Sequence, residues 1–333
     1  MRPPKPRLPA NLVELLAKAL ESFEHSDSRF RTLYTISSRS IAAADPQPEL
    51  EPELESQHRR PPRYILVLDS SFNPPTLAHQ RMVLSVLRDP RYKTKPSAPS
   101  RVLLLLAVNN ADKAPKPAAF AQRLAMMYVF AQDILLAAAA AGAGDNSSNS
   151  SKPPRWEDIP CDGVDIAVTK EPYFHAKAVA IASSESYRSR DEGQQEQEQE
   201  QEQIYLTGYD TLIRIFDPKY YPNDSMRASL DPFFARARLR VRMRTSDDWG
   251  DAAQQIAYLD ELRAGKLEAV GGRTEWVDRI EMVEGRKADE AVISSTKVRN
   301  AVLRRDWEAL KELVCEDVVT WIREHDLYAE ETK

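Results

Sequence analysis

Residues 64–80 read YILVLDSSFNPPTLAHQ, and this stretch decides the fold. Its first five residues form an unbroken apolar run, the pattern of a strand buried on both faces of a parallel sheet. Asp69 ends the run, and the prolines at 74 and 75 hold the next residues in an extended loop. From about Thr76 to Leu87 the apolar spacing becomes helical. In a parallel sheet, ligands sit beyond the carboxyl ends of the strands. The open N–H groups and dipole of the helix that follows attract a phosphate. Thr76 and His79 are three residues apart, so they share one face of the first helical turn and can meet the same phosphate.

The same alternation extends outward. Residues 101–108 (RVLLLLAV), 164–169 (VDIAVT) and 204–207 (IYLT) read as further buried strands, followed by helices at 118–140, 174–182 and 210–216. Residues 239–244 and 274–282 predict two more strands, and 296–327 predict helices. Strands alternating with helices imply an α/β fold, a Rossmann-like doubly wound parallel sheet with right-handed crossovers. Upstream, the apolar residues Leu12, Val13, Leu15, Leu16, Ala19, Leu20 and Phe23 give an amphipathic helix expected to dock on the main domain. Residues 44–60 are charged and carry prolines, as linkers do. The organisation expected is therefore an N-terminal helix and flexible linker over 1–60 and one α/β domain over 61–330. The polar loop near 142–152 and the Gln/Glu repeat near 190–203 cannot bury apolar area, so both are expected to be disordered surface insertions without chemistry.

Composition narrows the partners. The chain has 333 residues, 42% of them hydrophobic, enough for a sizeable core. Its formal net charge of -5 argues against general nucleic-acid coating, which needs a surplus of Lys and Arg. Two cysteines far apart, Cys161 and Cys315, suit buried apolar positions in a reducing compartment better than a disulfide framework, and no zinc spacing occurs. No apolar run is long enough to predict a membrane span, and the basic, Pro-bearing residues 1–7 lack the apolar segment of a secretory signal. The cytosol, shared or not with the nucleus, is the expected compartment.

Residues 70–79 resemble the signature of the nicotinamide mononucleotide adenylyltransferase family, G-S-F-N-P-x-[TH]-x-x-H, a variant of the H-x-G-H signature of the wider nucleotidyltransferase superfamily. Ser71, Phe72, Asn73, Pro74, Thr76 and His79 match in place, and Ser70 stands where the family has glycine. Residues 293–299 (ISSTKVR) match the second family signature, I-S-S-T-x-x-[RK]. There Ser294, Ser295 and Thr296 offer hydroxyl donors and an N-cap, and Arg299 lies one turn into the helix where it can grip phosphate oxygens. Lys297 is expected to face solvent. Residues 207–212 (TGYDTL) resemble the family's G-x-D-x-L segment, with Gly208 allowing close nucleotide approach and Asp210 either accepting from ribose hydroxyls or capping the helix. Lys113 and Lys116 fall in a loop that is basic in the family, and Arg123 with Met126 matches the helix after it. The closing stretch 314–328 ends in the family's H-x-L-Y, with His325 in a structural part.

The resemblance implies in-line attack by a mononucleotide phosphate on the α-phosphorus of ATP. It implies His79 and Thr76 at the transferred phosphate, and Ser71, Phe72, Lys113, Gly208, Asp210, Ser295, Thr296 and Arg299 around the ATP. It also implies Mg²⁺ held mainly by substrate and water, with no metal site built by the protein. The pyridine ring of the acceptor is left to Tyr173, Phe174 or Trp156. Two other readings use the same motifs: another phosphate-bearing acceptor, and an ATP-binding or ATP-hydrolysing interaction protein without transfer activity.

Overall fold

A computed structural model describes residues 8–9, 11–39, 61–92, 99–109, 118–142, 159–187, 201–244, 249–285 and 290–329. Seven strands form one sheet: β1 (Phe30–Ser37), β2 (Tyr64–Asp69), β3 (Ser100–Ala107), β4 (Gly163–Thr169), β5 (Glu202–Gly208), β6 (Ala237–Arg242) and β7 (Ile280–Val283). Their order is β1-β4-β3-β2-β5-β6-β7. All neighbours are parallel except β1, which runs antiparallel along β4. The chain therefore winds outward in both directions from β2, and the switch lies between β2 and β5.

The helices are α1 (Leu12–Glu24), α2 (Leu77–Leu87), α3 (Phe120–Gly142), α4 (Phe174–Ala182), α5 (Tyr209–Ile215), α6 (Met226–Arg236), α7 (Ala252–Glu261), α8 (Ser295–Leu303), α9 (Trp307–Lys311) and α10 (Glu316–Glu324). They cover both faces of the sheet. Leu66, Leu68, Leu104 and Leu106 point to one core with α1, α2, α3 and the C-terminal helices. Ile65, Val67, Leu103, Leu105 and Tyr205 point to the other, with α4 to α7. This is why the central strands are apolar at every position rather than at alternate ones. At Phe120–Ala140, α3 is long and apolar enough to cross a membrane, but 78% of its apolar window is buried inside the domain. Both cysteines are buried and unpaired.

Four elements differ from the sequence reading. Residues before Tyr64 supply more than a helix and a linker, because β1 pairs with β4 from Phe30↔Thr169 to Ser37↔Gly163. Gly163 makes this close pairing possible, since a Cβ there would lie 2.5 Å from the carbonyl of Ile36. The strand expected over 274–282 is confined to β7, and Thr274–Arg279 form a 3-10 helix instead. Its adjacent residues Trp276 and Val277 are both buried in the same core, which a strand would send to opposite faces. α6 and α7 fall where the sequence suggested nothing regular. The expected insertion over 142–152 lies outside the described residues apart from Gly142, and of that near 190–203 only its end is described, where β5 begins at Glu202.

Candidate active site

The loop leaving β2 is clasped by the far end of the chain. Arg299 Nη1 donates to the carbonyl of Asn73 at 2.8 Å, and Ser295 Oγ donates to the carbonyl of Pro74 at 2.8 Å. The Tyr328 hydroxyl donates to Asn73 Oδ1 at 2.8 Å, and the Leu77 amide donates to the carbonyl of Leu313 at 2.9 Å. Phe72 takes a positive φ of 44° in the middle of this loop. A left-handed phenylalanine persists only where its surroundings fix it. Here the ring is fully buried, 5.6 Å from the imidazole of His79 between ring centres. Phe72 therefore turns the loop and packs its ring beside His79.

His79 sits in the first turn of α2, half-buried on the cleft floor. Its Nδ1 accepts the backbone N–H of Thr76 at 2.9 Å, with Thr76 Oγ1 also at 2.9 Å. A backbone amide can only donate, so Nδ1 carries no proton and the neutral ring holds its proton on Nε2. Nε2 lies 3.0 Å from Ser70 Oγ and points toward the cleft. Burial lowers the imidazole pKa to about 4, so near neutral pH the ring is an uncharged N–H donor with a fixed tautomer. Thr76 is buried behind it and faces His79.

Two cavities open at the carboxyl ends of the strands and meet over this loop. The first, about 450 Å³, lies on the β5–β6 side and includes His79, Gly208, Arg242, Arg244 and the start of α8. The second, about 700 Å³, lies on the β3–β4 side and includes Asn73, Arg123, Tyr173, His175, Lys177 and Tyr220. Asp69, Ser70, Ser71, Phe174, Asp210, Thr211 and Arg299 border both.

At the first cavity, Gly208 is the N-cap of α5, and a Cβ there would meet Asp210 Oδ1 at 2.7 Å. Asp210 does not cap the helix; its carboxylate pairs with Arg244 at 3.1 Å. Ser294 caps α8 by accepting from the Lys297 amide, and the Lys297 side chain is exposed as expected. The leading amides of a helix have no intrahelical acceptor, so those of Ser295 and Thr296 are available to an anion. Arg299 Nη2 reaches Thr296 Oγ1 at 3.2 Å. The hydroxyl of Ser295 is already committed to the Pro74 carbonyl, so its open donor is the backbone amide.

At the second cavity, Tyr173 and His175 stack at 5.6 Å with 7° between their planes, and Tyr220 tilts against Tyr173 at 6.2 Å. Burial pushes the His175 imidazole pKa down, which favours its neutral form. Phe174 packs inward on Tyr205 at 5.5 Å. Beneath the aromatic group, the ammonium of Lys177 forms a buried ion pair with Asp69. Arg123 holds the carbonyl of Ala118 at 2.8 Å and covers Phe120 at 4.8 Å.

The cleft thus gathers Ser71, Thr76, His79, Gly208, Asp210, Ser295, Thr296 and Arg299 from three distant segments. Lys113, Lys116 and Trp156 lie outside the described residues. Sequence reasoning missed the Asp69–Lys177 pair, the Arg244 partner of Asp210 and the Tyr328 clamp. One signal was available: Lys177 is the single charged residue in FHAKAVAIA, an otherwise apolar helix apart from His175. Among the described residues, no group of three His, Cys, Asp or Glu side chains is arranged to hold a metal.

No family model matches the chain. A protein of Schizosaccharomyces pombe named "Putative nicotinamide mononucleotide adenylyltransferase" is 30% identical to it over 264 residues, covering 78% of this chain and 84% of the relative. Among solved structures, the Plasmodium falciparum nicotinic acid mononucleotide adenylyltransferase complexed with APC is similar over 81% of this chain and 100% of its own, with TM-score 0.43 and 12% identity. The same enzyme complexed with NaAD covers the same shares with TM-score 0.39 and 14% identity.

Proposed function

The chain belongs to the nicotinamide mononucleotide adenylyltransferase family, and from that premise we propose that it joins ATP to nicotinamide mononucleotide or its acid form, giving the dinucleotide and pyrophosphate. The observation that carries this reading is the pair of cavities meeting at Asp69–Ser71 beneath the Nε2–H of His79. One cavity suits a nucleoside triphosphate, with α8 and Arg299 at its phosphates. The other, with its stacked Tyr173–His175 shelf, suits a flat pyridine ring.

An oxygen of the acceptor phosphate attacks the α-phosphorus in line. The bond from that phosphorus to the bridging oxygen breaks, and pyrophosphate departs with the electron pair. The attacking phosphate is already ionised, so no general base is required, and catalysis rests on positioning and charge stabilisation. His79 gives up Ser70 Oγ and donates its Nε2–H to the transferred phosphate. Thr76 acts through His79 by fixing its tautomer. Ser71 and the leading amides of α8 supply neutral donors, and Arg299 supplies charge where both cavities meet. Gly208 lets the nucleotide lie close to the chain, and Asp210, steadied by Arg244, accepts from the ribose. Mg²⁺, carried in mainly by the substrates and water, would supply positive charge that stabilises the departing pyrophosphate. The two carboxylates at the junction, Asp69 and Asp210, are both paired with cations, which fits a metal held by substrate and water.

The test is a coupled assay with ATP, Mg²⁺ and either mononucleotide, reading dinucleotide formation. His79→Ala should lower kcat by about 10²-fold or more, the scale of one lost transition-state donor. Dinucleotide formation at normal rate in that variant removes His79 from the mechanism. ATP hydrolysis without dinucleotide in the unmodified chain turns the assignment to another phosphate-bearing acceptor or to an ATP-driven interaction protein.

A further inference from the structure

A buried ion pair sits where the two cavities join, and the reaction as described leaves it without a task. Lys177 is 4% exposed, one turn into α4, with its ammonium on Asp69 Oδ2 and 5.4 Å from the Phe174 ring centre. Asp69 is the last residue of β2, the strand from which the sheet turns outward both ways. Asp69 borders both cavities, whereas Lys177 borders only the second, on the acceptor side.

A buried charge is normally paired because leaving it alone in a low-dielectric site is costly. This pair is unlike an ordinary structural one in facing a cavity that must receive phosphate. An acceptor monophosphate brings roughly two negative charges. It must approach a triphosphate and would meet the Asp69 carboxylate on the way. A lysine ammonium has three donors, of which Asp69 takes one.

We propose that Lys177 binds the 5′-phosphate of the acceptor mononucleotide, and that Asp69 is the internal counter-ion that occupies Lys177 until that phosphate arrives. The assignment rests on the adenylyl-transfer reading of the same cleft. In the empty protein Asp69 holds the ammonium in place beside the junction. When the mononucleotide enters, its phosphate shares or takes over the ammonium and is held within reach of the α-phosphorus. The two residues then act in opposite senses on acceptor affinity: Lys177 strengthens it and Asp69 competes with it. A pair that only held α4 against β2 would act in one sense, since losing either partner would loosen the same contact.

The experiment is calorimetric titration of the full chain with nicotinamide mononucleotide, its acid form, the dephosphorylated nicotinamide riboside, and ATP. Lys177→Gln should weaken mononucleotide binding by about 10- to 100-fold, the scale of one charge-assisted hydrogen bond, while riboside and ATP affinities stay within about threefold. Lys177→Arg should restore most of the loss. Asp69→Asn should tighten the mononucleotide by a few-fold, about 3- to 10-fold, and leave the riboside unchanged. Equal weakening of mononucleotide and riboside by Lys177→Gln, or weakening of the mononucleotide by both Lys177→Gln and Asp69→Asn, overturns the proposal and makes the pair structural. Should Lys177→Gln fail to fold, the direction of the Asp69→Asn change decides alone. An unmodified chain that binds ATP but neither mononucleotide refutes the adenylyl-transfer reading itself. An unmodified chain that binds the mononucleotide as tightly as Lys177→Gln does refutes only the role of Lys177.

Discussion

Replacing Tyr328 by phenylalanine removes one oxygen atom from the second-last described residue, yet the effect should appear at the phosphate loop. The Tyr328 hydroxyl donates to Asn73 Oδ1 at 2.8 Å, and both residues are buried, at 8% and 4% exposure. Removing one partner of a buried hydrogen bond leaves the other to bear desolvation, a cost of about 1–3 kcal/mol. For a domain of this size the melting temperature should fall by roughly 2–10 °C. The functional effect follows from position. Asn73 lies between Phe72, held at positive φ, and the Pro74 carbonyl that accepts from Ser295. Slackening there shifts the loop that carries Ser70 and Ser71, and misplacement near 1 Å can cost on the order of 10²-fold in rate. Tyr328→Phe should therefore lower kcat by roughly 10- to 100-fold although the residue borders neither cavity. Differential scanning calorimetry and the coupled dinucleotide assay measure the two effects on one preparation. A variant with unchanged melting temperature and unchanged kcat would refute the clamp. A lowered melting temperature with full activity would separate the clamp from catalysis.

Two further outcomes follow from the same geometry. The pKa of His79 is lowered to about 4 from the ordinary value of 6.5, so the native state prefers the neutral ring. Its contribution to stability is complete above about 6.5 and is lost as pH falls toward 4, because the unfolded chain takes up the proton first. Denaturant titrations of the unmodified chain and His79→Ala from pH 7.5 to 4 should show the unmodified chain losing stability faster. Parallel curves would mean that the imidazole is not depressed. Phe23 of α1 is fully buried against the main core, so Phe23→Ala should destabilise the domain by about 3–5 kcal/mol in a single cooperative transition. A separate early transition for the N-terminal part would show that α1 and β1 form an independent unit.

The central sheet was legible because β2 to β5 are covered on both faces, and double burial writes itself as an apolar run. β1 was not, for a local reason. Its buried residues are Phe30, Leu33 and Ile36, three apart, because an irregularity between Thr32 and Tyr34 interrupts the alternation. Spacing of three suggests a helix turn or nothing at all. α6 carries Pro232 in its interior, which in a sequence argues for an interruption. In the cleft, His79 with Thr76, Gly208 with Asp210, and Ser295 to Arg299 were legible because each group is a short local segment at the start of a helix. The Asp69–Lys177 and Asn73–Tyr328 contacts join residues 108 and 255 positions apart, and no periodicity encodes them. Phe72 adds something that the motif alone does not show. Its ring is buried 5.6 Å from the imidazole of His79, a contact that depends on the turn of the loop and not on spacing.

The antiparallel edge strand also bears on how the chain is made. β1 leaves the ribosome early, but its partner β4 ends at Thr169, opposite Phe30. At about 5–20 residues per second, the wait between them is on the order of ten seconds. During that interval the stripe of Leu12, Leu16, Leu20 and Phe23 on α1 has no core to cover it, since the α3 surface it packs against is also still to be synthesised. Until then α1 is a sticky, unpartnered segment of the nascent chain. Folding-helper proteins that bind exposed apolar stretches would meet it before β4 is made.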